Sequence, residues 1–247
     1  MRKARWQIFF GLILIGLSAL FYVLHYLIFR DAQHILKYGL GDLAFVFIEV
    51  LLVTLIIHQL LGLREKRNRL EKLNMVIGAF FSEAGTKLLT YFSDVDPQLD
   101  QIKEGLIVSD RWSDKEFSAM SKTLKSYDYR IDTKKVDFEA LKSFLNHRTE
   151  FLLRLLENPN LLEHESFTDL LQAVFHLNEE LLRRDDLKSL PQSDLAHLGG
   201  DAKRAYALLV NEWLDYMKHL KTNYPYLFSL AMRTNPFDEK ASAIVRS

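Results

Sequence analysis

An all-α fold follows from three features of the 247-residue sequence: two uninterrupted apolar runs near its start, helical spacing of apolar residues in almost every later stretch, and one brief alternating stretch with no second run to pair with. The predicted architecture is an N-terminal transmembrane helical hairpin whose second span continues into a cytoplasmic helical bundle. The expected parts are the hairpin at residues 1–63, with spans at 8–29 and 43–63, a membrane-proximal amphipathic rod at 64–92, a helical domain at 93–237 and a flexible tail at 238–247.

Charge supports the division. The chain carries 32 Lys and Arg against 32 Asp and Glu, but residues 1–72 hold 10 basic and 5 acidic side chains, which leaves 22 and 27 for the rest. The basic excess sits beside the apolar runs, and the mildly acidic remainder has no basic stripe, so nucleic acid is not an expected partner. With no cysteine there is no disulfide, thiolate metal site or cysteine nucleophile, a composition that fits a reducing cytoplasm.

The first span, IFFGLILIGLSALFYVLHYLIF, has 22 residues. A secretory signal would have an apolar core of only ~7–15 residues before small residues, so a retained helix is expected, with Trp6 at one interface and Tyr22 and Tyr26 toward the other. The second, LAFVFIEVLLVTLIIHQLLGL, has 21 residues, or ~31 Å of helix, the thickness of a hydrocarbon core. Arg2, Lys3 and Arg5 flank the first span, Arg64, Lys66, Arg67, Arg69 and Lys72 follow the second, and the intervening loop has only Arg30 and Lys37. Both termini are therefore expected in the cytoplasm of a two-pass protein of the cell (inner) membrane. In the 13-residue loop, YGLGD is too short a setting for an ion-selectivity filter. Gly39 and Gly41 are expected to turn the chain, and Asp42 to cap the second helix.

No proline interrupts the chain from Arg64 to Phe92, so the second helix is expected to leave the membrane as a rod. Leu70, Leu73, Ile77, Phe80 and Ala84 recur at threes and fours, and Gly78 and Gly85 would admit a close neighbour, making a face for a second copy or for the chain's own domain. Asp96–Pro97 should open a helix, Ser113 and Glu116 form a capping box, and residues 127–135 make an extended connection. Asp137 caps a long helix ending near Pro159. Ser166 and Asp169 open the next, behind the charged Glu163, His164 and Glu165. A last long helix covers roughly residues 201–222. The aromatic stretch 224–238 is expected to cover the end of the bundle as a lid, the alternative being a docking surface.

Candidate functional residues fall into two groups. Glu49 and His25 lie inside the spans, each within ~6–9 Å of the outer boundary of a hairpin with a long loop, so they can pair and lock it or line a polar path, and His58 snorkels at the inner side. In the helical domain, His176 with Glu180 and Asp215 with His219 are i, i+4 pairs that resemble halves of a metal site. No glycine-rich phosphate loop, βα alternation or nucleophile elbow is present.

GDLAFVFIEVLLVTLIIHQLL, EKRNRLEKLNMVIGAFFSEAGTKLL and YPYLFSLAMRTNPFD are similar to segments of an uncharacterised family of prokaryotic two-span integral membrane proteins with a cytoplasmic α-helical domain. The resemblance implies a bacterial or archaeal inner-membrane protein and carries no activity. The expected function is a non-enzymatic membrane protein presenting its helical bundle for self-association or partner binding, with the lipid bilayer as a partner and no cofactor. The alternatives are a subunit of an oligomeric channel or transporter around Glu49 and His25, and a metal-dependent enzyme built on His176, Glu180, Asp215 and His219.

Overall fold

A computed structural model describes residues 2–159, 161 and 164–245, with backbone alone for residues 2–8, 10, 32, 34–36, 40, 44 and 65–72. Trp6, the basic side chains at 2–5 and 66–72, Leu70 and the whole of Glu163 therefore lie outside the described atoms. Every regular element is helical, and no strand occurs among the described residues. The chain forms two compact units, Met1–Lys66 and Arg67–Ser247.

The first unit is built from α1 (Arg2–Phe29) and the first part of α2 (Ala32–Phe80). Two of its stretches, Gly11–Phe29 and Lys37–Arg64, are long and apolar enough to cross a membrane, and none of either is buried within the protein. The expected 13-residue loop is not there. Arg30, with φ 48°, and Asp31 turn the chain, and α2 starts at Ala32, so Gly39, Gly41 and Asp42 lie inside a helix rather than at its start. Helical bonding continues through the glycines, each of which costs only ~1 kcal/mol against alanine in a helix.

The second unit opens with the end of α2, a wide π turn at Phe81–Gly85 and α3 (Thr86–Ser93). Leu73, Ile77, Phe80, Phe81, Ala84, Leu88, Leu89 and Phe92 are all buried in its core. The face offered for self-association is thus spent on the chain's own domain. Gly78 sits against Tyr216, whose hydroxyl a Cβ would meet at 3.0 Å, and a Cβ at the buried Gly85 would fall 2.7 Å from the Phe81 ring. Arg148 spans the π turn from outside, its Nε donating to the Glu83 carbonyl at 2.6 Å while its guanidinium lies 3.9 Å over Phe144.

The helix expected after Pro97 is replaced by two 3₁₀ turns, Leu99–Gln101 and Glu104–Leu106. Asp96 does not cap a helix. Its carboxylate accepts from the Gln98 N–H at 3.0 Å and from the Tyr127 hydroxyl at 2.7 Å, pinning the extended stretch against the end of α3. The Ser113–Glu116 capping box opens α4 (Asp114–Ser126) as its sequence predicts. Asp137 caps α5 (Phe138–Asn146) with a 2.9 Å bond from Ala140 N, but the long helix breaks at His147–Arg148 and resumes as α6 (Thr149–Leu156). His164, rather than Ser166, is the N-cap of α7 (Glu165–Leu182), its Nδ1 accepting from Phe167 N at 3.3 Å.

The largest difference is in α8, which runs from Gln192 to Asn223 rather than from Asp201. Gly199 and Gly200 look like a helix stop in sequence. Instead Gly199 is buried where a Cβ would sit 2.5 Å from the Thr133 methyl, so close packing of α8 on the extended connection offsets the glycine's poor helix propensity. After α9 (Pro225–Arg233), Asn235 donates to the Leu106 carbonyl at 2.9 Å and Phe237 packs edge-on against Trp213. Phe228 and Phe237 are buried, so the 224–238 stretch does close one end of the core, though Tyr226, Leu227 and Leu230 stay exposed. The expected flexible tail folds back in part, with Ser242 N donating to the Arg233 carbonyl at 2.7 Å and Glu239 paired with Lys103.

Candidate functional site

The two-residue turn at Arg30–Asp31 separates His25 from Glu49. His25 lies five residues before Arg30 and Glu49 eighteen after Asp31, so at 1.5 Å per residue they stand ~20 Å apart along the hairpin. His25 instead lines a cavity with Ser18, Tyr22, Tyr38 and Asp42, and its ring packs on Phe29 at 4.8 Å between centroids. Glu49 and His58 are exposed on α2 amid apolar residues.

In the second unit, α7 and α8 pack antiparallel, which sets residue 176 across from 201 and 180 across from 197. His176 and Glu180 are i, i+4 on α7, and His197 and Asp201 are i, i+4 on α8. Four side chains meet on one face of the pair. The Asp201 Oδ2 lies 3.4 Å from His197 Nε2 and 3.6 Å from His176 Nε2, and Glu180 approaches the same imidazoles at 3.6 and 4.0 Å. Around them stand two guanidiniums. Arg184 makes a two-bonded fork with Asp194, both bonds 2.7 Å, and bonds Glu180 Oε2 at 2.7 Å, while Arg204 lies 3.5 Å from the other Asp201 oxygen. Hydrogen bonds from Arg184 hold the carboxyl groups of Glu180 and Asp194 below the ordinary range, and the same bonds, that to Asp194 first, raise the pKa of Arg184.

Asp215 and His219 do not join this cluster. They lie fourteen and eighteen residues beyond Asp201 on α8, ~21 Å and more along the helix. Asp215 is exposed, and His219 packs beside Tyr224 and Asn223.

Nearer that end, the Ser166 hydroxyl donates to buried Glu212 at 2.9 Å and lies 3.2 Å from His164 Nδ1. The order differs from a nucleophilic triad, where imidazole sits between acid and hydroxyl. Here serine is in the middle, and the Nδ1 already accepts from Phe167 N, so the arrangement caps a helix and satisfies a buried acid.

Residues 69–233 match the family described as "Uncharacterized protein MJ1433, C-terminal helical domain", and residues 2–61 match "MJ1433, N-terminal helical domain". The chain belongs to the MJ1433 family. Similar to it is "Uncharacterized protein MJ1433" of Methanocaldococcus jannaschii, 52% identical over 244 residues that cover 99% of this chain and 98% of the relative. No solved structure matches. The two matched regions of this MJ1433-family chain leave residues 62–68 between them, and its two compact units divide there, between Lys66 and Arg67.

Sequence spacing found the His176–Glu180 half of the α7–α8 cluster but joined it to the wrong pair. The signal for the other half was present: Pro191 before Ser193 and Asp194 is a helix start, and His197 and Asp201 then fall four apart. The Gly199–Gly200 pair concealed it.

Glu212 gives a pH prediction for this MJ1433-family protein. Burial raises its pKa above the ordinary glutamate value, against the opposing pull of the Ser166 bond. A raised folded-state pKa contributes stability that is complete below the unfolded value and is lost as pH rises through the folded one. Glu212→Gln keeps an acceptor for Ser166 and cannot ionise. The variant is expected to melt higher than wild type at pH 8, with the gain shrinking as pH falls toward 4.5. Melting curves at both pH values check it, and equal melting points at pH 8 would contradict it.

Proposed function

We propose that this MJ1433-family chain is a two-pass inner-membrane protein that holds its second unit at the cytoplasmic surface as an anchored binding module. The observation that carries this is the contrast between the units. The described apolar side chains of Gly11–Phe29 and Lys37–Arg64 are exposed, whereas the second unit buries its apolar side chains in a core of its own. Basic residues beside both outer ends of the hairpin, and few at its turn, support the orientation. The exposure of Glu49 amid apolar residues would cost ~2.5–3.5 kcal/mol at the centre of a bilayer, so copies that cover it are favoured.

The lack of cysteine makes the test direct. The chain is expected to stay in the membrane pellet after alkaline carbonate washing. In Asp31→Cys, the new thiol should react with an impermeant maleimide in intact cells, and in Ser118→Cys, at an exposed site on α4, only after permeabilisation. Release into the carbonate supernatant would sink the anchor, and labelling of Ser118→Cys in intact cells would reverse the orientation. Native mass spectrometry of the detergent-solubilised chain reads the role of Glu49: oligomers that weaken in Glu49→Gln support covering by copies, and monomers exclude it.

A further inference from the structure

We infer that the cavity between α1 and α2 is a binding site for an organic ammonium group, carried by a lipid headgroup or by a small amine. Its volume is about 420 Å³, within the ~300–1,000 Å³ of small-ligand sites. From α1 it is lined by Ser18, Phe21, Tyr22 and His25, whose spacing of i, i+3, i+4 and i+7 puts them on one face of the helix. From α2 come Tyr38, Gly39 and Asp42.

These side chains select a cation that is bulky and partly apolar. Asp42 is exposed within an apolar stretch of membrane-crossing length, ~8 Å from its start at Lys37. Among the described residues no side chain bonds or pairs with its carboxylate, and an acid in such a setting calls for a partner. Phe21, Tyr22 and Tyr38 put three aromatic rings around the same space, and the negative face of a ring attracts a cation, alkylated ammonium groups above all. Ser18 and His25 add hydrogen-bonding atoms for an ammonium N–H or a neighbouring hydroxyl. Among the described residues neither lysine nor arginine lines the cavity, so an anion finds no counter-charge. A bare metal ion is not matched either, since no group of three or more His, Cys, Asp or Glu side chains among the described residues could hold one. The three rings are about half exposed or more, so the cavity is open at its side. In the anchored chain proposed above, on which this route of entry rests, the opening faces lipid near the outer surface. Gly39 supplies room: nothing lies within 4 Å of where its Cβ would be, so a larger side chain there occupies the space without striking a neighbour.

The test has two arms, both on the full, tag-free chain in detergent. Calorimetric titration with tetramethylammonium chloride probes the free amine, and native mass spectrometry with equimolar phosphatidylethanolamine and phosphatidylglycerol probes the headgroup. Retention of one phosphatidylethanolamine per chain, preferred by about tenfold, assigns a lipid, and saturable tetramethylammonium binding without that preference assigns a small amine. Asp42→Asn should weaken the response about tenfold or more. Gly39→Leu, which keeps the carboxylate and fills the space, should weaken it as well, while His58→Gln, ~24 Å along α2 from Asp42, leaves it unchanged. An unaltered helical circular-dichroism signal verifies folding, and should Asp42→Asn misfold, Gly39→Leu carries the same expectation. No tetramethylammonium binding tighter than about 10 mM together with no lipid preference, or a response that survives in Asp42→Asn, overturns the inference. The carbonate wash reads the anchor separately, so a chain that stays in the pellet and binds neither probe sinks this site alone.

Discussion

Phe80→Ala is expected to lower the melting point of the second unit more than any single truncation at an exposed position. Phe80 is wholly buried and packs edge-on against Phe81 at 5.5 Å and Phe167 at 5.4 Å, so it joins the start of the unit to α7. Removing a buried phenylalanine ring costs ~3–5 kcal/mol in lost transfer energy and cavity, and for a domain of this size each kcal/mol moves the midpoint by ~2–4 °C. A fall of roughly 6–20 °C is therefore expected. Met75→Ala, on the same helix but exposed, should stay within ~0.5 kcal/mol of wild type. Tryptophan fluorescence of the full chain in detergent reads both, since Trp112 and Trp213 lie in the second unit. If Phe80→Ala melted with Met75→Ala, this stretch would not be core, and its apolar face would be open for another copy after all.

Asp96→Ala is the second large effect, through lost polar partners rather than volume. Asp96 is buried and accepts bonds from Gln98 N and Tyr127 Oη. Next to it the Asp132 N–H donates to the Val95 carbonyl at 3.0 Å, so one corner fixes the whole extended connection. Hydrogen bonds to a charged group contribute ~1.5–3 kcal/mol each, so the loss of two gives an expected destabilisation of ~3–6 kcal/mol. Asp96→Asn should recover part of it by still accepting from Gln98. Tyr127→Phe removes one bond, and in the double variant Asp96→Ala/Tyr127→Phe the cost should fall short of the sum by ~0.5–3 kcal/mol, the signature of a shared interaction. Strictly additive losses in urea unfolding would mean that the two side chains act separately.

Local elements were legible where one physical signal dominated. The capping box at Ser113–Glu116 needs only two side chains and four residues of backbone, and it forms as its spacing predicts. Asp137 caps its helix for the same reason. Helix ends set by packing were not legible. The glycines at 39 and 41 and at 199 and 200 read as turns because glycine disfavours helix, yet all four are helical. At Gly199 the reason is Thr133, 66 residues earlier in the chain, whose methyl group leaves no room for a Cβ. Nor does any local signal in 147–148 disclose that Arg148 would break the long helix while reaching the Glu83 carbonyl.

The candidate site shows the same division. Spacing of four on a helix is a local property, so each histidine–carboxylate pair was visible as a pair once its helix was recognised. Which pairs meet depends on how α7 and α8 lie against each other in the core that buries Leu170, Val174 and Leu177 of one and Leu198, Ala202 and Leu209 of the other. By itself the sequence determined the all-α class, the two apolar helices of membrane-crossing length and the asymmetry of charge around them, because periodicity, run length and composition need no neighbour to be read. Only the tertiary structure decided that the hairpin turns at Arg30, that the Leu73–Ala84 face lies in the core, and that His176 and Glu180 stand opposite His197 and Asp201. Each of those outcomes rests on contacts between residues distant in the chain, whose energies no local pattern contains.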